Sequence, residues 1–224
     1  MTTTVFLLDV DNTLLDNDRV TVDLRSYLSA EVGQHRAELY FELFEERRKE
    51  LGYADYLGAL QSYRSCYPRD PHLLAVSSFL INYPFSERLY PKALDVLARL
   101  AQHGPTVILS DGDVVFQPLK VERSGIFAAV YKRVLIYVHK ELELDDVQKR
   151  YPADHYVLID DKLRILTAVK RRWEQRVTTV FVRQGHYASA PEVAQLPAAD
   201  IAIDQIAELL TFKIARTNLR LEPQ

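Results

Sequence analysis

Five short apolar runs constrain the fold of this chain more than any other feature of its sequence. They are rich in Val, Ile, Leu and aromatic residues, they are continuous rather than alternating, and most of them end at a polar cluster. Strands of a parallel sheet have this character when helices cover both faces of the sheet. The runs occupy residues 5–8, 106–109, 134–138, 156–159 and 177–182, with a sixth candidate at 200–203.

Helical patterns separate most of these runs. Residues 93–102 read ALDVLARLAQ, with apolar residues at helical spacing, and the following HGP supplies a glycine and a proline that end a helix. Residues 163–173 and 206–212 show similar patterns. Strands that alternate with helices predict an α/β fold, here a Rossmann-like parallel sheet with helices on both faces and right-handed crossovers.

The segment between the first two runs is too long for an ordinary crossover. Residues 17–85 contain no convincing strand and read as several helices, whereas a crossover needs only about a dozen residues. We therefore expect an inserted all-helical domain at 17–85 and a Rossmann-like core formed by 1–16 and 86–224. The charge run EERRKE within the insertion is typical of a solvated helix face.

Composition narrows the class of partner. With 224 residues, of which 48% are hydrophobic, the chain can bury a core of its own. A net charge of -3 gives no basic surplus, so we expect no nucleic-acid or membrane partner and favour a small molecule. Cys66 is the only cysteine, and the first ten residues lack a signal-peptide pattern. These features predict a cytoplasmic protein, and they leave its oligomeric state open.

Asp9 and Asp11 follow the first apolar run at alternate positions. If the extended geometry persists, both side chains point the same way. Two like charges about 6 to 7 Å apart repel by roughly 2 to 3 kcal/mol at an effective dielectric constant of about 20. A fold that accepts this cost usually brings a cation to the site. A turn or helix cap accounts for a single aspartate, but it accounts less well for the pair.

Polar residues follow the other runs as well. Ligands of an open parallel sheet bind beyond the carboxyl ends of its strands, so residues that follow different strands are able to meet. Four strand ends supply carboxylates, a hydroxyl and an ammonium group: Asp9 and Asp11; Ser110, Asp111 and Gly112; Lys140; and Asp160 and Asp161. Lys132 is a less well-spaced rival of Lys140, and each of these residues alone is open to interpretation as a turn, cap or surface residue.

These motifs resemble those of the haloacid dehalogenase superfamily, in particular its phosphatase-type members with a helical cap after the first motif. DVDNT is similar to the D-x-D-x-T motif, ILSDG to the second motif, VHKE to the third, and LIDD to the acidic fourth. The order and the intervals of the motifs agree, and so does the position of the cap, so the resemblance covers nearly the whole chain. It implies that 17–85 is a helical cap domain and that 1–16 and 86–224 form the catalytic core. Three positions depart from the pattern: no proline follows Lys140, no acid stands four residues after the paired aspartates, and Lys92 replaces a glycine that is frequent in relatives.

The resemblance implies a magnesium-dependent phosphatase of a small phosphorylated metabolite. Asp9 would be the nucleophile that forms an aspartyl phosphate, and Asp11 would be the general acid and base. Ser110, the backbone N–H of Asp111 and Lys140 would bind the phosphoryl group and neutralise its charge.

The resemblance also implies a set of magnesium ligands. Mg²⁺ would be held by Asp9, by the backbone carbonyl of Asp11 and by an acid of the fourth motif, Asp160 or Asp161. Because side chains alternate along a strand, we expect only one of these two to face Asp9, and we favour Asp161 as the direct ligand.

Other functions stay open at this point. A 2-haloacid dehalogenase shares the fold and the nucleophile but is metal-free, and its motif lacks the second aspartate. A phosphomutase uses the same aspartate pair, and a catalytically silent binding protein would keep the fold for a regulatory role. The cap is expected to set the substrate, and Tyr53, Tyr56, Arg64 and Tyr83 are its candidate contacts.

Overall fold

Six parallel strands form the central sheet of the protein, in the order β3-β2-β1-β4-β5-β6. A computed structural model describes residues 3–214 and 221–222 of the chain. Every apolar run that predicts a strand, including the sixth candidate, forms one. The strands are β1 (Thr4–Leu8), β2 (Thr106–Asp111), β3 (Val134–Tyr137), β4 (His155–Asp160), β5 (Val177–Val182) and β6 (Ile201–Ile203), and a separate antiparallel pair comprises β7 (Lys213–Ile214) and β8 (Leu221–Glu222).

The chain reverses its direction of travel across the sheet beside β1. It moves outward from β1 to β2 and β3, and then returns to the other side of β1 to build β4, β5 and β6. Leu8 is level with Ile108 of β2 and with Ile159 of β4. Such a reversal is a topological switch point, where a parallel sheet forms a crevice at the carboxyl ends of its strands.

Helices cover both faces of the sheet. Phe6 and Leu8 point into a core that α5 and α6 complete, whereas Val5 and Leu7 point into a second core under α8 and α9. Because the side chains of a strand alternate between two apolar cores, the strand sequences are continuously apolar. Within the described residues the α-helices are α1 (Asn17–Val32), α2 (Gln34–Leu51), α3 (Tyr56–Cys66), α4 (Leu73–Ile81), α5 (Ala93–Ala101), α6 (Phe116–Arg123), α7 (Ile126–Ala129), α8 (Leu144–Arg150) and α9 (Leu163–Trp173).

Helices α1 to α4 all lie between β1 and β2 and pack on one another. The buried carboxylate of Asp70 ties three parts of this segment together. It accepts hydrogen bonds from the Tyr63 hydroxyl of α3 at 2.5 Å, from Arg36 of α2 at 3.1 Å and from the backbone N–H of His72 at 2.9 Å. Burial alone would raise the pKa of Asp70, but these donors lower it to about 2.

Two details differ from the sequence expectation. The helix expected at 206–212 is a short 3₁₀-helix, Ile206–Leu210. The Glu208 carboxylate caps its N-terminus by accepting hydrogen bonds from the backbone N–H groups of Asp204 and Gln205. Hydrogen bonds from residue i to residue i+3 are typical of such short segments. In addition, β2 continues through Ser110 to Asp111 instead of ending at residue 109. None of the helices in the described residues is long and apolar enough to cross a bilayer.

Candidate active site

Asp9 follows β1 directly and lies at the switch point. Its backbone N–H donates to the carbonyl oxygen of Ile159 at 3.0 Å, which fixes it beside β4. Its buried side chain accepts two hydrogen bonds at Oδ1, from Lys140 Nζ at 2.6 Å and from Ser110 Oγ at 3.1 Å. Oδ2 has no hydrogen-bond partner among the described residues. One carboxylate oxygen is thus held in place, and the other is available to a ligand.

Asp160 and Asp161 come together with Asp9. One carboxylate oxygen from each of the three residues lies within 4.8 Å of the others. The expectation that strand alternation turns only one of the pair toward Asp9 is therefore wrong. The reason is that β4 ends at Asp160 and the chain turns there before α9 begins at Leu163, so the alternation does not extend to Asp161.

The two adjacent aspartates differ in their surroundings. Asp160 Oδ2 lies 2.7 Å from Lys140 Nζ, and Oδ1 accepts from the backbone N–H of Lys162 at 2.8 Å. Neither oxygen of Asp161 has a partner in the part of the chain that the structure describes. Burial, followed by the neighbouring Asp160 carboxylate, raises the pKa of Asp161 well above its usual range. Burial also raises the pKa of Asp160, although Lys140 opposes this.

The donor set of this cluster fits a hard divalent cation. It consists only of carboxylate oxygens, and three of them, both oxygens of Asp161 and Oδ2 of Asp9, are buried without a protein donor among residues 3–214. A buried carboxylate without a partner is costly, and a bound cation removes that cost. Asp9, Asp160 and Asp161 are therefore able to hold Mg²⁺, which prefers oxygen ligands.

Lys140 lies beneath the acidic cluster at the start of a 3₁₀-helix, Lys140–Leu142. Its buried ammonium group bridges Asp9 and Asp160 and also donates to the carbonyl oxygen of Leu109 at 3.2 Å. Burial alone would lower the pKa of Lys140, but the surrounding carboxylates, first Asp160 and then Asp9, raise it well above its ordinary value. The residue is therefore a fixed positive charge at the floor of the site. Its exposed rival Lys132 lies in a loop before β3.

Ser110 and Asp111 end β2 beside Asp9. The Ser110 hydroxyl donates to Asp9 Oδ1 and accepts from Gln117 Nε2 at 3.0 Å. The Asp111 carboxylate accepts from the backbone N–H of Lys140 at 2.7 Å, so this side chain holds the loop that carries the lysine. Burial raises the pKa of Asp111, and Lys140 opposes the shift.

Asp11 lies next to the acidic cluster but has a cationic partner of its own. Its Oδ1 accepts from Lys120 Nζ at 2.6 Å. Lys120 belongs to α6 and is buried, and the sequence motifs do not include it. A signal for it exists in the sequence, because Lys120 stands four residues after Phe116 and so shares the apolar, inward face of that helix.

A cavity of about 360 Å³ opens above these residues. Asp9, Asp11 and Ser110 line its floor, and Arg48 and Tyr53 line it from the side of α2. Lys162, His186 and Tyr187 complete the wall from loops of the sheet. The Tyr187 ring lies near two cations, with its centroid 4.9 Å from Lys162 Nζ and 5.3 Å from the Arg48 guanidinium carbon. Of these wall residues, only Tyr53 was among the candidates from the sequence.

Arg48 connects the helical segment to the sheet loops. One of its guanidinium nitrogens lies 3.2 Å from His186 Nε2, and the other imidazole nitrogen, Nδ1, lies 2.6 Å from the Asp18 carboxylate. Arg48 also pairs with Glu45 at 3.3 Å. The arrangement holds a positive group in the wall of the cavity.

Of the four candidate substrate contacts that the sequence suggests in residues 17–85, only one lies at the cavity. Tyr53 lines it. Tyr56 is buried, and its hydroxyl lies 3.1 Å from Asn17 Nδ2, whereas the Tyr83 hydroxyl donates to Asp23 at 2.5 Å. Arg64 is exposed on α3 and is not among the residues that line the cavity. Tyr and Arg occur often in helix packing and on surfaces, so residue type alone does not distinguish these roles.

The fold and the acidic crevice define an α/β protein of the haloacid dehalogenase type, and comparisons with solved structures agree. A protein described as a haloacid dehalogenase-like hydrolase, from Burkholderia xenovorans LB400, is 57% identical with a TM-score of 0.90, and the match covers 94% of this chain and 96% of that one. This chain belongs to the haloacid dehalogenase-like hydrolases. No protein-family model and no curated protein matches it.

More distant structures share the fold alone. An L-2-haloacid dehalogenase from Xanthobacter autotrophicus is 19% identical with a TM-score of 0.59, and the match covers 93% of this chain and 97% of that one. A HAD-hydrolase from Bacillus subtilis, solved bound to magnesium, is 16% identical with a TM-score of 0.61 and the same coverage.

Proposed function

We propose that this hydrolase is a magnesium-dependent phosphatase of small phosphorylated metabolites that acts through an aspartyl phosphate on Asp9. The observation that carries the proposal is the environment of the Asp161 carboxylate. Its two buried oxygens have no partner in the described chain and lie beside Asp9 and Asp160. A bound cation would balance these clustered negative charges. A metal-free dehalogenase would also use Asp9 as its nucleophile, but it would leave both buried oxygens of Asp161 without a counterion.

The first half-reaction transfers the phosphoryl group to the protein. A carboxylate oxygen of Asp9 attacks phosphorus while the ester P–O bond breaks, and Asp11 donates a proton to the departing oxygen. The Lys140 ammonium and the Ser110 hydroxyl, both bonded to Asp9 Oδ1, neutralise and orient the charge that Asp9 shares with the phosphoryl group. Mg²⁺, held by Asp9, Asp161 and the backbone carbonyl of Asp11, would screen the carboxylates from the incoming phosphate.

The second half-reaction releases inorganic phosphate. Asp11, now a carboxylate, takes a proton from a water molecule that attacks phosphorus, and the bond between phosphorus and Asp9 breaks. Asp9 is thereby regenerated, and Asp11 regains its proton for the next cycle. Asp160 keeps Lys140 in place through its 2.7 Å ion pair.

The substrate is small and polar. A cavity of about 360 Å³ lies at the lower end of the range of ligand pockets, about 300 to 1,000 Å³. Arg48 and Lys162 in its wall favour an anionic substrate. We propose that residues 17–85 act as the cap over the core formed by 1–16 and 86–224. The single cysteine and the lack of a basic surplus support a cytoplasmic enzyme with a small-molecule partner.

Hydrolysis of 4-nitrophenyl phosphate by the purified protein tests the proposal. We expect turnover with Mg²⁺, loss of turnover after chelation and recovery when Mg²⁺ is returned, with Asp9→Asn as the inactive control. A panel of phosphorylated metabolites then identifies the substrate. Metal-independent chloride release from a 2-chloroalkanoate would establish a dehalogenase, and retention of phosphate on the organic product would establish a phosphomutase. Absence of turnover across the panel would indicate a binding protein.

A further inference from the structure

Lys120 is a buried cation that the four sequence motifs do not contain. It lies on α6, its side chain is 1% exposed, and its ammonium group donates to Asp11 Oδ1 at 2.6 Å and to Asn17 Oδ1 at 3.0 Å. Asn17 is fixed in turn, because its Nδ2 lies 3.1 Å from the Tyr56 hydroxyl. The lysine thus has two oxygen acceptors, and both belong to the segment that leaves β1.

Packing does not account for a lysine at this position. The ammonium group lies 5.6 Å from the ring centroid of Phe116 and 6.0 Å from that of Tyr56, so its other neighbours are aromatic. A buried ion pair is rarely more stabilising than well-packed apolar side chains of similar volume. A methionine or leucine would fill the same space without the cost of burying a charge, which indicates that Lys120 is present for what it does to Asp11.

The ion pair gives the two carboxylate oxygens of Asp11 different surroundings. Oδ1 is held by Lys120, whereas Oδ2 has no hydrogen bond from the described residues. The Asp11 side chain is 20% exposed and lines the cavity beside Asp9. A carboxylate that is anchored through one oxygen presents the other in a fixed direction, as a general acid and base requires.

We propose that Lys120 is a positioning residue for Asp11, which it holds with one oxygen directed at the leaving group of the substrate. The inference rests on the proposed function, in which Asp11 protonates that leaving group. Loss of Lys120 should therefore affect some substrates more than others. Hydrolysis of an ester with a poor leaving group needs the proton of Asp11, whereas the good leaving group of an aryl ester departs with little help. Loss of Lys120 should slow hydrolysis of the first kind of ester more.

The experiment compares an alkyl phosphate with 4-nitrophenyl phosphate in four proteins: wild type, Lys120→Met, Asp11→Asn and the double variant. Lys149→Met, which removes an exposed lysine on α8, is the matched control. We compare kcat/KM, which reports the first half-reaction alone, because the second half-reaction is the same for both esters. We expect Lys120→Met to lower kcat/KM for the alkyl ester at least about 10-fold more than for the aryl ester, because acid catalysis contributes about 100-fold or more. In the Asp11→Asn background the same change should alter kcat/KM less than about 2-fold, and Lys120→Arg should restore part of the alkyl activity.

A crystal structure of Lys120→Met provides a readout that does not depend on turnover. We expect the Asp11 carboxylate to leave its present orientation. Equal losses for both esters, additive losses in the double variant or an unmoved Asp11 would overturn the inference. If Lys120→Met does not fold, the double variant, which buries no unpaired charge, and Lys120→Arg carry the comparison. A wild-type protein that hydrolyses neither these esters nor any member of the metabolite panel refutes the proposed phosphatase, and the position of Asp11 in the crystal then decides the role of Lys120.

Discussion

Asp160 and Asp161 are adjacent in sequence, yet among the described residues protein groups bond only to Asp160. Its two carboxylate oxygens contact Lys140 Nζ and the backbone N–H of Lys162, whereas both oxygens of Asp161 lack a partner within the described residues. This asymmetry favours Asp161 as the direct ligand of a metal ion. It favours Asp160 as the group that keeps the lysine in place.

Alanine at these two positions should therefore affect the magnesium requirement unequally. Loss of an inner ligand from a weakly held ion should raise the Mg²⁺ concentration for half-maximal activity more than loss of an outer partner, which typically matters by about 10 to 100-fold. In magnesium titrations of turnover, we expect Asp161→Ala to raise the Mg²⁺ concentration for half-maximal activity further than Asp160→Ala does. The reverse order would make Asp160 the direct ligand.

Substitutions of Asp9 and Asp11 should impair different steps of the reaction. Asp9→Asn removes the nucleophile, so no phosphoryl group should become attached to the protein. Asp11→Asn keeps the nucleophile and lacks the acid and base. Release of phosphate should therefore slow by about 100-fold or more, and so should phosphoryl transfer from esters with poor leaving groups. Mass spectrometry of acid-quenched protein after mixing with 4-nitrophenyl phosphate distinguishes the two, because only Asp11→Asn should carry a phosphoryl group. Near wild-type turnover by Asp9→Asn would mean that another residue is the nucleophile.

Arg48 should contribute to substrate binding. Its guanidinium group lines the cavity and is held by His186 and Glu45, so it meets an anionic substrate with little loss of side-chain freedom. A charged hydrogen bond contributes about 1.5 to 3 kcal/mol, which corresponds to about a 10-fold or larger rise in KM for Arg48→Met. Arg64→Met removes an exposed arginine of α3 and should leave KM unchanged. Similar KM values for all three proteins would place Arg48 outside substrate recognition.

Asp70 should make the free energy of unfolding depend on pH in the acidic range. Its folded pKa, about 2, lies below its ordinary value of 3.8, so the ionised group favours the folded state above about pH 4 and this contribution is lost as the pH falls through about 2. Asp70→Asn should lower the unfolding free energy by about 1 to 3 kcal/mol at pH 7. In denaturant titrations the difference from wild type should shrink between pH 4.5 and 3. Asp145→Asn, an exposed substitution, should show no such trend.

The sequence predicted the sheet because its strands are continuously apolar. A strand that contributes to two cores has no polar face, so residues such as Phe6 and Leu7 already indicate burial on both sides. It also predicted which strand ends would meet, since ligands of parallel sheets bind at one edge. Asp9, Ser110, Lys140 and Asp160 are accordingly neighbours in the structure.

The sequence did not predict the groups that come to the site from other elements. Lys120 reaches Asp11 from the inward face of α6, and Arg48 reaches the cavity from α2. Their positions depend on how helices pack against the sheet, which motif spacing does not determine. The prediction that only one of the paired aspartates faces Asp9 was also wrong. It assumed the side-chain alternation of an extended strand, but the chain has already turned at Asp161.

The central place of β1 has a consequence for how the protein is synthesised. Residue 8 pairs with residue 159, so the strand that carries Asp9 leaves the ribosome long before β4 exists to receive it. Helices α1 to α4 make mostly local contacts and are able to form first, whereas β1 must wait for partners far along the chain. A nascent or truncated chain that stops before β4 has β2 on one edge of β1 and leaves the other edge of this apolar strand unpaired, which makes such a fragment prone to aggregation.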